Sequence, residues 1–339
     1  MRFLRRLFAW LSDRLFGGLF APPGAVELTE GPVAEGAFQD RARGRTILFR
    51  LYTPDSVEGP APVVLFCHGL GGSRGAAPYL GHALAQNGYY AFFLQHPGSD
   101  QSILAGARGH EEIRQRMMQA TRTPGNARDR FADIPFVIDQ LAEMNRDSRL
   151  AGKLDLDRIG IAGHSYGARN VLMAAGQWAP GFGTGFKEPR IRAGVALSPN
   201  VPTGPGLAVG EAGTMPARAL AGIYDAIDIP LFHITGTEDG MPLEGGGRDF
   251  DPATRTLPFQ FMDRSPQYLL VLDGATHGTF ASRLSGGRED IADMRHTQTV
   301  ATAAVLFFDA WLKQDAEARE VLHESFINGL APGDLFLFK

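Results

Sequence analysis

The sequence feature that most constrains the fold is a strand, a tight turn and a helix within residues 157–177. The apolar run 159–162 predicts a buried strand, and apolar residues at helical spacing follow the turn. Between them lies Gly163-His-Ser-Tyr-Gly167, a Gly-x-Ser-x-Gly pattern in strand–turn–helix context. In such a turn, glycines permit a backbone approach that a Cβ would block, and the serine hydroxyl is lifted above the sheet. Ser165 is therefore the candidate nucleophile.

A second copy of the pattern occurs at Gly71-Gly-Ser-Arg-Gly75. The chain has 42 glycines among 339 residues, so chance copies are expected. In this copy His68-Gly-Leu separates the motif from the preceding apolar run 63–67, so the strand does not enter the turn directly. We therefore interpret this segment as a glycine-rich loop, not as a second nucleophile site.

Strand-like and helix-like segments alternate along the chain. Strands are predicted at 46–52, 63–67, 89–94, 159–162, 192–197, 230–235 and 267–272, and helices at 76–87, 103–120, 128–146, 300–313 and 315–328. This alternation predicts an α/β fold with a mostly parallel central sheet and helices on both faces. Pro135 lies inside one helical pattern and is expected to kink that helix or delay its start.

We expect three parts along the chain. Residues 1–25 combine arginines with apolar residues at helical spacing. This pattern fits an amphipathic helix that lies on a membrane surface, one that packs on the folded domain or a partner subunit, or a cleaved signal. Residues 26–45 are predicted to be a linker or arm, and residues 46–339 the α/β domain. No apolar stretch is long enough to span a bilayer, and a cytoplasmic or membrane-surface location is expected.

Composition limits the classes of partner and cofactor. The formal net charge of −4 provides no broad basic surface, so nucleic acid is not an expected partner. The single cysteine, Cys67, excludes an intramolecular disulfide and a multi-cysteine metal site. Its apolar neighbours predict a buried thiol. We expect neither a metal nor an organic cofactor.

A serine nucleophile needs a general base and an acid that orients the base. When the serine lies on this kind of turn, the acid and then the histidine follow it on loops after later strands. Asp239 and His277 occupy those places, and they are the predicted acid and base. Glu238 is the nearest rival for the acid. Asp273 is less favoured because it lies close in sequence to His277.

The negative oxygen formed during acyl transfer needs preorganised hydrogen-bond donors. The backbone N–H of Tyr166, directly after the serine, is one predicted donor. The second is expected from the loop after strand 63–67, with Leu70 as first choice and Gly71 as the alternative. Gly69 and Gly71 are expected to let this loop approach the substrate closely.

The remaining histidines near these loops are assigned by position. His96 follows the strand 89–94 on a loop near the site and is expected to contact substrate. His68 and His164 flank glycines and are expected to hold backbone, with His164 also close enough to touch substrate. His233 lies within a predicted strand and is assigned to the core.

Three motifs resemble those of a known superfamily: Cys-His-Gly-Leu-Gly-Gly-Ser-Arg at 67–74, Gln-His-Pro-Gly-Ser-Asp at 95–100, and Gly-His-Ser-Tyr-Gly-Ala at 163–168. Over about residues 45–315 the chain resembles the α/β-hydrolase superfamily. Within it, the motifs look most like dienelactone-hydrolase-type enzymes close to the platelet-activating-factor acetylhydrolase group. True dienelactone hydrolases carry cysteine in the turn, whereas this chain has Ser165. The resemblance therefore implies ordinary carboxylic esters as substrates.

The expected function is a serine hydrolase that cleaves small-molecule or lipid esters through an acyl-enzyme. One alternative is a lipase or polyester hydrolase that works at an interface, suggested by residues 1–25. Another is a catalytically silent binding protein of the same fold, and acyl transfer or peptide cleavage would use the same three side chains. The long loops 198–226 and 240–266 occupy positions of lids and acyl pockets. Their apolar residues either line such a pocket or anchor the loops: Met215, Met241, Leu243, Phe250, Phe259, Phe261 and Met262.

Overall fold

A single sheet organises the computed structural model, which describes residues 32–201, 220, 222–240, 251–282 and 291–339. The strands of this part of the chain follow the order β1-β2-β4-β3-β5-β6-β7-β8-β9. They are β1 (Val33–Asp40), β2 (Arg45–Tyr52), β3 (Ala61–Cys67), β4 (Tyr90–Gln95), β5 (Leu154–His164), β6 (Ile191–Leu197), β7 (Leu231–Glu238), β8 (Gln267–Thr276) and β9 (Leu335–Phe338). The helices are α1 (Pro78–Gln86), α2 (Gly109–Arg122), α3 (Pro124–Asp147), α4 (Tyr166–Ala175), α5 (Leu257–Phe261), α6 (Ile291–Leu312) and α7 (Ala316–Glu320).

Strands β3 to β8 run parallel, while β1, β2 and β9 are antiparallel to their neighbours. The central strand β3 is buried along its whole length. Val63 and Leu65 contribute to the hydrophobic cluster on one face, and Val64 and Phe66 to the cluster on the other. A strand covered on both faces needs apolar residues at every position, which explains the continuous apolar run in the sequence. The predicted α/β class with a mostly parallel, doubly covered sheet is confirmed.

Helices cover both faces of this sheet. On one face, α3 and α4 present apolar residues such as Ile138 and Leu172 to the first cluster. On the other face, α1 and α6 contribute residues such as Leu80 and Phe308 to the second cluster. Within the described ranges, no helix is long and apolar enough to cross a membrane.

The predicted linker 26–45 contains a strand of the sheet. β1 pairs with β2 along its length, from Val33 opposite Tyr52 to Asp40 opposite Arg45. Glycine and alanine within β1 weaken its sequence pattern, and its side chains alternate only partly between buried and half-exposed. The linker prediction is therefore wrong for residues 33–40. The predicted N-terminal segment, residues 1–25, lies outside the described residues.

Other differences concern where elements begin and end. Helix α3 begins at Pro124, so Pro135 does not delay its start. The helix predicted at 103–120 is divided into a short 3₁₀ helix, Gln101–Leu104, and α2. The strand β9 was not predicted, because four apolar residues at the chain end carry too little periodicity to distinguish strand from helix.

Candidate active site

The turn between β5 and α4 places Ser165 above the carboxyl ends of the parallel strands. Ser165 has φ 57° and ψ −112°, a conformation that is strained for a residue with a Cβ. A Cβ on Gly163 would collide with the backbone of Gly167, and one on Gly167 with the carbonyl of Cys67. The N–H of Ser165 donates to the carbonyl of Leu197 in β6 at 2.8 Å. Close packing on both sides therefore holds the serine in its strained turn.

The structure brings the predicted base and acid to this serine. Nε2 of His277, just after β8, lies 3.0 Å from Oγ of Ser165. Nδ1 of the same ring lies 2.7 Å from Oδ1 of Asp239, just after β7. The side chain of Asp239 is fully buried, whereas that of His277 is 14% exposed. With Nδ1 donating to the carboxylate, Nε2 is left as the acceptor for the serine hydroxyl.

The surroundings of Asp239 keep it ionised. Burial raises the pKa of this carboxyl, but the hydrogen bond from His277 and the charge of Arg255 outweigh burial, so the pKa lies below its ordinary value. Thr235 also donates its hydroxyl to Oδ2 at 2.8 Å. A permanently charged Asp239 can orient the imidazole and stabilise an imidazolium.

The rival acids are not in this position. Glu238 is exposed at the end of β7. The carboxylate of Asp273 accepts a hydrogen bond from the hydroxyl of Thr237 at 3.1 Å. Of the acids weighed from the sequence, Asp239 is the one that the structure places against His277.

Arg255 lies beside Asp239 and was not predicted as a site residue. We call Asp239 and the residues around it the acid side of the site. It lies in the 3₁₀ helix Pro252–Thr256, and its side chain is fully buried. Its Nε lies 3.0 Å from Oδ1 of Asp239, and its Nη1 donates to the carbonyl of Ser198 at 2.9 Å. Its Nη2 is 3.2 Å from Nδ1 of His277. A lone arginine in a segment without periodicity carried no sequence signal for this role.

The loop after β3 lies beside the serine and offers a backbone donor. The N–H of Gly71 already donates to the carbonyl of Ser99 at 2.9 Å. In the described part of the chain the N–H groups of Leu70 and Tyr166 have no hydrogen-bond partner. Tyr166 is the first residue of α4, where an N–H has no intrahelical acceptor. Of the two loop residues, Leu70 therefore has the N–H that is available as an oxyanion donor, and the role of Leu70 and Tyr166 as donors stays a prediction.

Gly69 and His164 pack against the candidate nucleophile and base. A Cβ on Gly69 would lie 3.1 Å from Nδ1 of His164 and 3.3 Å from Cβ of Ser165. The rings of His164 and His277 have centroids 4.6 Å apart. Both residues therefore shape the immediate surroundings of the serine, and direct contact between either of them and a substrate stays a prediction.

A family model described as the alpha/beta hydrolase fold matches residues 62–224. The chain has the α/β-hydrolase fold. The match supports a hydrolase, and its range includes Leu70 and Ser165 but ends before Asp239 and His277. No curated protein matches the chain.

In this α/β-hydrolase fold, His68 is the first residue of the loop after β3, and His96 packs against it. Nε2 of His68 accepts the N–H of His96 at 3.0 Å, and its Nδ1 lies 2.6 Å from the carbonyl of Gly69. His96 is fully buried with Nδ1 2.9 Å from Asp133. Burial, together with the charge of Arg130, lowers the pKa of His96 to about 4. The ring of His96 has no exposed surface, so the structure gives no support to the prediction that His96 contacts substrate.

The described apolar residues of the predicted pocket lie in or against the core. Phe259 and Met262 are buried, and the half-buried Phe261 packs against the first cluster. These three therefore anchor the α5 segment to the domain of this α/β-hydrolase fold. The other four, Met215, Met241, Leu243 and Phe250, lie outside the described residues.

Two core assignments from the sequence are confirmed. Cys67 is a free, buried thiol, and burial raises its pKa to about 12. His233 is buried in β7 with Nε2 2.9 Å from Oε1 of Gln267. Among the residues that the structure describes, no group of three or more histidine, cysteine or carboxylate side chains is arranged to hold a metal ion.

Proposed function

We propose that this protein is a serine hydrolase that cleaves carboxylic esters through an acyl-enzyme intermediate. The observation that carries the proposal is the continuous hydrogen-bond chain from Ser165 through His277 to Asp239. The three residues are far apart in sequence, and Ser165 and His277 are separated by 112 positions. A nucleophile, a base and a buried acid in this order fit acyl transfer.

In the first half of the proposed reaction, Oγ of Ser165 attacks the ester carbonyl carbon while Nε2 of His277 takes the hydroxyl proton. The carbonyl oxygen becomes negative and accepts hydrogen bonds from the N–H groups of Leu70 and Tyr166. The carbon–oxygen bond to the alcohol then breaks. The leaving alcohol takes the proton from His277, and the acyl group remains on the serine.

In the second half, a water molecule takes the place of the alcohol. His277 removes one proton from the water as its oxygen attacks the acyl carbonyl, and the same two N–H groups bind the oxyanion again. Collapse of this intermediate releases the carboxylic acid and returns the proton to Oγ of Ser165. Each cycle consumes one ester and one water and needs no cofactor.

We argue the proposed substrate class from the sequences of the serine turn and of the loop after β3. Their sequences resemble dienelactone-hydrolase-type enzymes near the platelet-activating-factor acetylhydrolase group, but the nucleophile is serine. A serine with a neutral histidine base suits esters with ordinary alcohol leaving groups. We therefore propose small-molecule or lipid carboxylic esters as substrates.

A panel of p-nitrophenyl esters graded by acyl length tests this proposal on wild type and two serine variants. Ser165→Ala should lower kcat by about 10⁴-fold or more, because the members of such a triad act as a unit. Ser73→Ala is the matched control, since Ser73 is the serine of the second Gly-x-Ser-x-Gly segment. Its Oγ accepts the local N–H of Gly75. This control should keep wild-type activity.

A fluorophosphonate probe gives an independent readout. It should label Ser165 in the wild type and in Ser73→Ala, and it should not label Ser165→Ala. Wild-type protein that neither hydrolyses any ester nor takes the label would overturn the proposal and favour a silent binding protein. Activity on aggregated esters but not on soluble ones would favour the interfacial alternative.

A further inference from the structure

Arg130 is a fully buried arginine that connects three segments near the candidate oxyanion donors. We call this part of the site, the loop after β3 and the start of α4, the oxyanion side. It lies on α3, and its Nε donates to Oδ1 of Asn170 on α4 at 2.6 Å. Its Nη1 donates to Oγ of Ser99, on the loop after β4, at 2.7 Å. Its Nη2 donates to the backbone carbonyl of His68, on the loop after β3. One guanidinium therefore joins three segments that meet beside the serine.

These contacts lie next to the two residues that carry the candidate oxyanion donors, Leu70 and Tyr166. His68 is two residues before Leu70, and the guanidinium carbon of Arg130 lies 4.6 Å from the ring centre of Tyr166. Asn170 returns a hydrogen bond from Nδ2 to the backbone carbonyl of Arg130 at 3.1 Å. Removing Arg130 would therefore loosen the Leu70 loop and the start of α4 together.

The charge of Arg130 is not matched by a carboxylate in contact with it. No ion pair joins Arg130 to another described residue, and its three acceptors are neutral oxygens. Asp133, one turn along α3, is paired with Arg43 and Arg45 at 3.0 and 2.9 Å. Burial lowers the pKa of Arg130, and a guanidinium nonetheless stays protonated near neutral pH.

Asp133 and Asp100 act on this charge through space, and neither is hydrogen-bonded to the guanidinium among the described contacts. Burial of a cation with no contacting carboxylate destabilises a fold, so a purely structural link between the three segments would not need the charge. The charge becomes favourable when a negative oxygen forms nearby in a water-poor site. We propose that Arg130 is a positioning residue for the oxyanion hole, which fixes Leu70 relative to Tyr166 and places a positive charge behind the oxyanion. This inference rests on the proposed function and identifies a residue that does not itself touch the substrate.

The test compares Arg130→Met and Arg130→Lys with wild type in ester hydrolysis and in inhibition by a trifluoromethyl ketone, which forms an oxyanion on the serine. For Arg130→Met we expect kcat to fall about 100-fold, as when one oxyanion donor is lost, with KM within about threefold. The inhibition constant for the ketone should rise by a factor similar to the loss of kcat/KM. Arg130→Lys keeps the charge but not the three-way fork, so it should recover part of kcat.

Arg190→Met is the matched control. Arg190 is half-buried at the start of β6, the opposite end of the strands from the site, and pairs with Glu188 and Asp139. Its removal should leave kcat and the ketone inhibition constant unchanged. Thermal unfolding of each variant checks that the fold is retained.

Several results would overturn the role of Arg130. One is a folded Arg130→Met protein with kcat and ketone inhibition within about threefold of wild type, and another is a change in KM alone. If Arg130→Met does not fold, Arg130→Lys decides, and wild-type kcat and ketone inhibition in that variant would overturn the role. Absence of ester hydrolysis in the wild type would overturn the proposed function itself, which is a distinct outcome.

Discussion

The two sides of the candidate site each contain a fully buried arginine, but the arginines have different partners. On the acid side, Arg255 lies against the carboxylate of Asp239 at 3.0 Å. On the oxyanion side, the hydrogen bonds that Arg130 donates within the described residues all go to neutral oxygens. The acid side therefore contains a permanent ion pair, whereas the oxyanion side contains a cation without a contacting anion. The difference suggests that one arginine supports a standing charge and the other a charge that forms during reaction.

The family match also distinguishes the two sides of the site. The matched residues, 62–224, include the loop after β3, Arg130 on α3 and the serine turn. Asp239, Arg255 and His277 lie beyond that range. The oxyanion side is built from segments that follow β3 and β5, whereas the acid side is built from segments that follow β7 and β8. The family match therefore covers the oxyanion side and not the acid side.

The largest expected effect is on the acid side. Asp239→Asn should lower kcat by about 10⁴-fold, because a neutral amide no longer selects the tautomer that leaves Nε2 free to accept the serine proton. Glu238→Gln is the matched control, since its side chain is exposed and next in sequence. It should keep wild-type kcat. Steady-state kinetics with a soluble ester measures both variants, and equal losses in the two would contradict the assignment of the acid.

The next largest expected effect is on the free energy of unfolding, which should fall by different amounts when the two arginines are replaced. Arg255→Met leaves the buried carboxylate of Asp239 without its cation, so unfolding free energy should fall by about 3 kcal/mol or more. Arg130→Met leaves no contacting carboxylate uncompensated and should cost less stability while it lowers kcat. Urea unfolding followed by circular dichroism measures both variants side by side. A larger stability loss for Arg130→Met than for Arg255→Met would break the contrast.

The smallest expected effect is on how the free energy of unfolding depends on pH, and a buried histidine on each side of the site contributes to it. His96 on the oxyanion side and His233 on the acid side are each buried, and burial lowers the pKa of each ring to about 4. In the unfolded chain these two histidines become protonated below about pH 6.5, whereas in the folded protein they stay neutral down to about pH 4. The free energy of unfolding therefore falls as the pH decreases from about 6.5 toward 4. Each ring should contribute about 1.6 kcal/mol of loss between pH 6.5 and pH 5.

Urea unfolding at several pH values tests this prediction in His96→Asn and His233→Asn. Each variant should show a shallower decline of unfolding free energy with falling pH, whatever its absolute stability. The slope is the quantity compared, because either substitution also changes packing. A decline as steep as that of the wild type in both variants would show that these histidines titrate normally in the folded protein.

Several features of the fold could be predicted because they depend on local patterns. The apolar run of β3 and the serine turn have sequence signatures that follow from burial on two faces and from steric limits on a tight turn. The positions of Asp239 and His277 followed from the ends of predicted strands. β1 was missed because glycine and alanine conceal its alternation, and β9 because four residues carry too little pattern.

The sequence by itself determined the α/β class and the turn that carries Ser165, since each depends on patterns of residues close together in the chain. It also indicated the candidate acid and base, since each lies on the segment that directly follows a predicted strand. Only the tertiary structure decided what surrounds them. It enclosed His96, placed Arg255 against Asp239 and set Arg130 against the carbonyl of His68 on the loop after β3. Arg130 and His68 are 62 positions apart, and no local pattern encodes a contact between segments that meet only when the sheet and helices pack. A charged residue on a helix predicts a solvated face, and only packing shows that this one is buried.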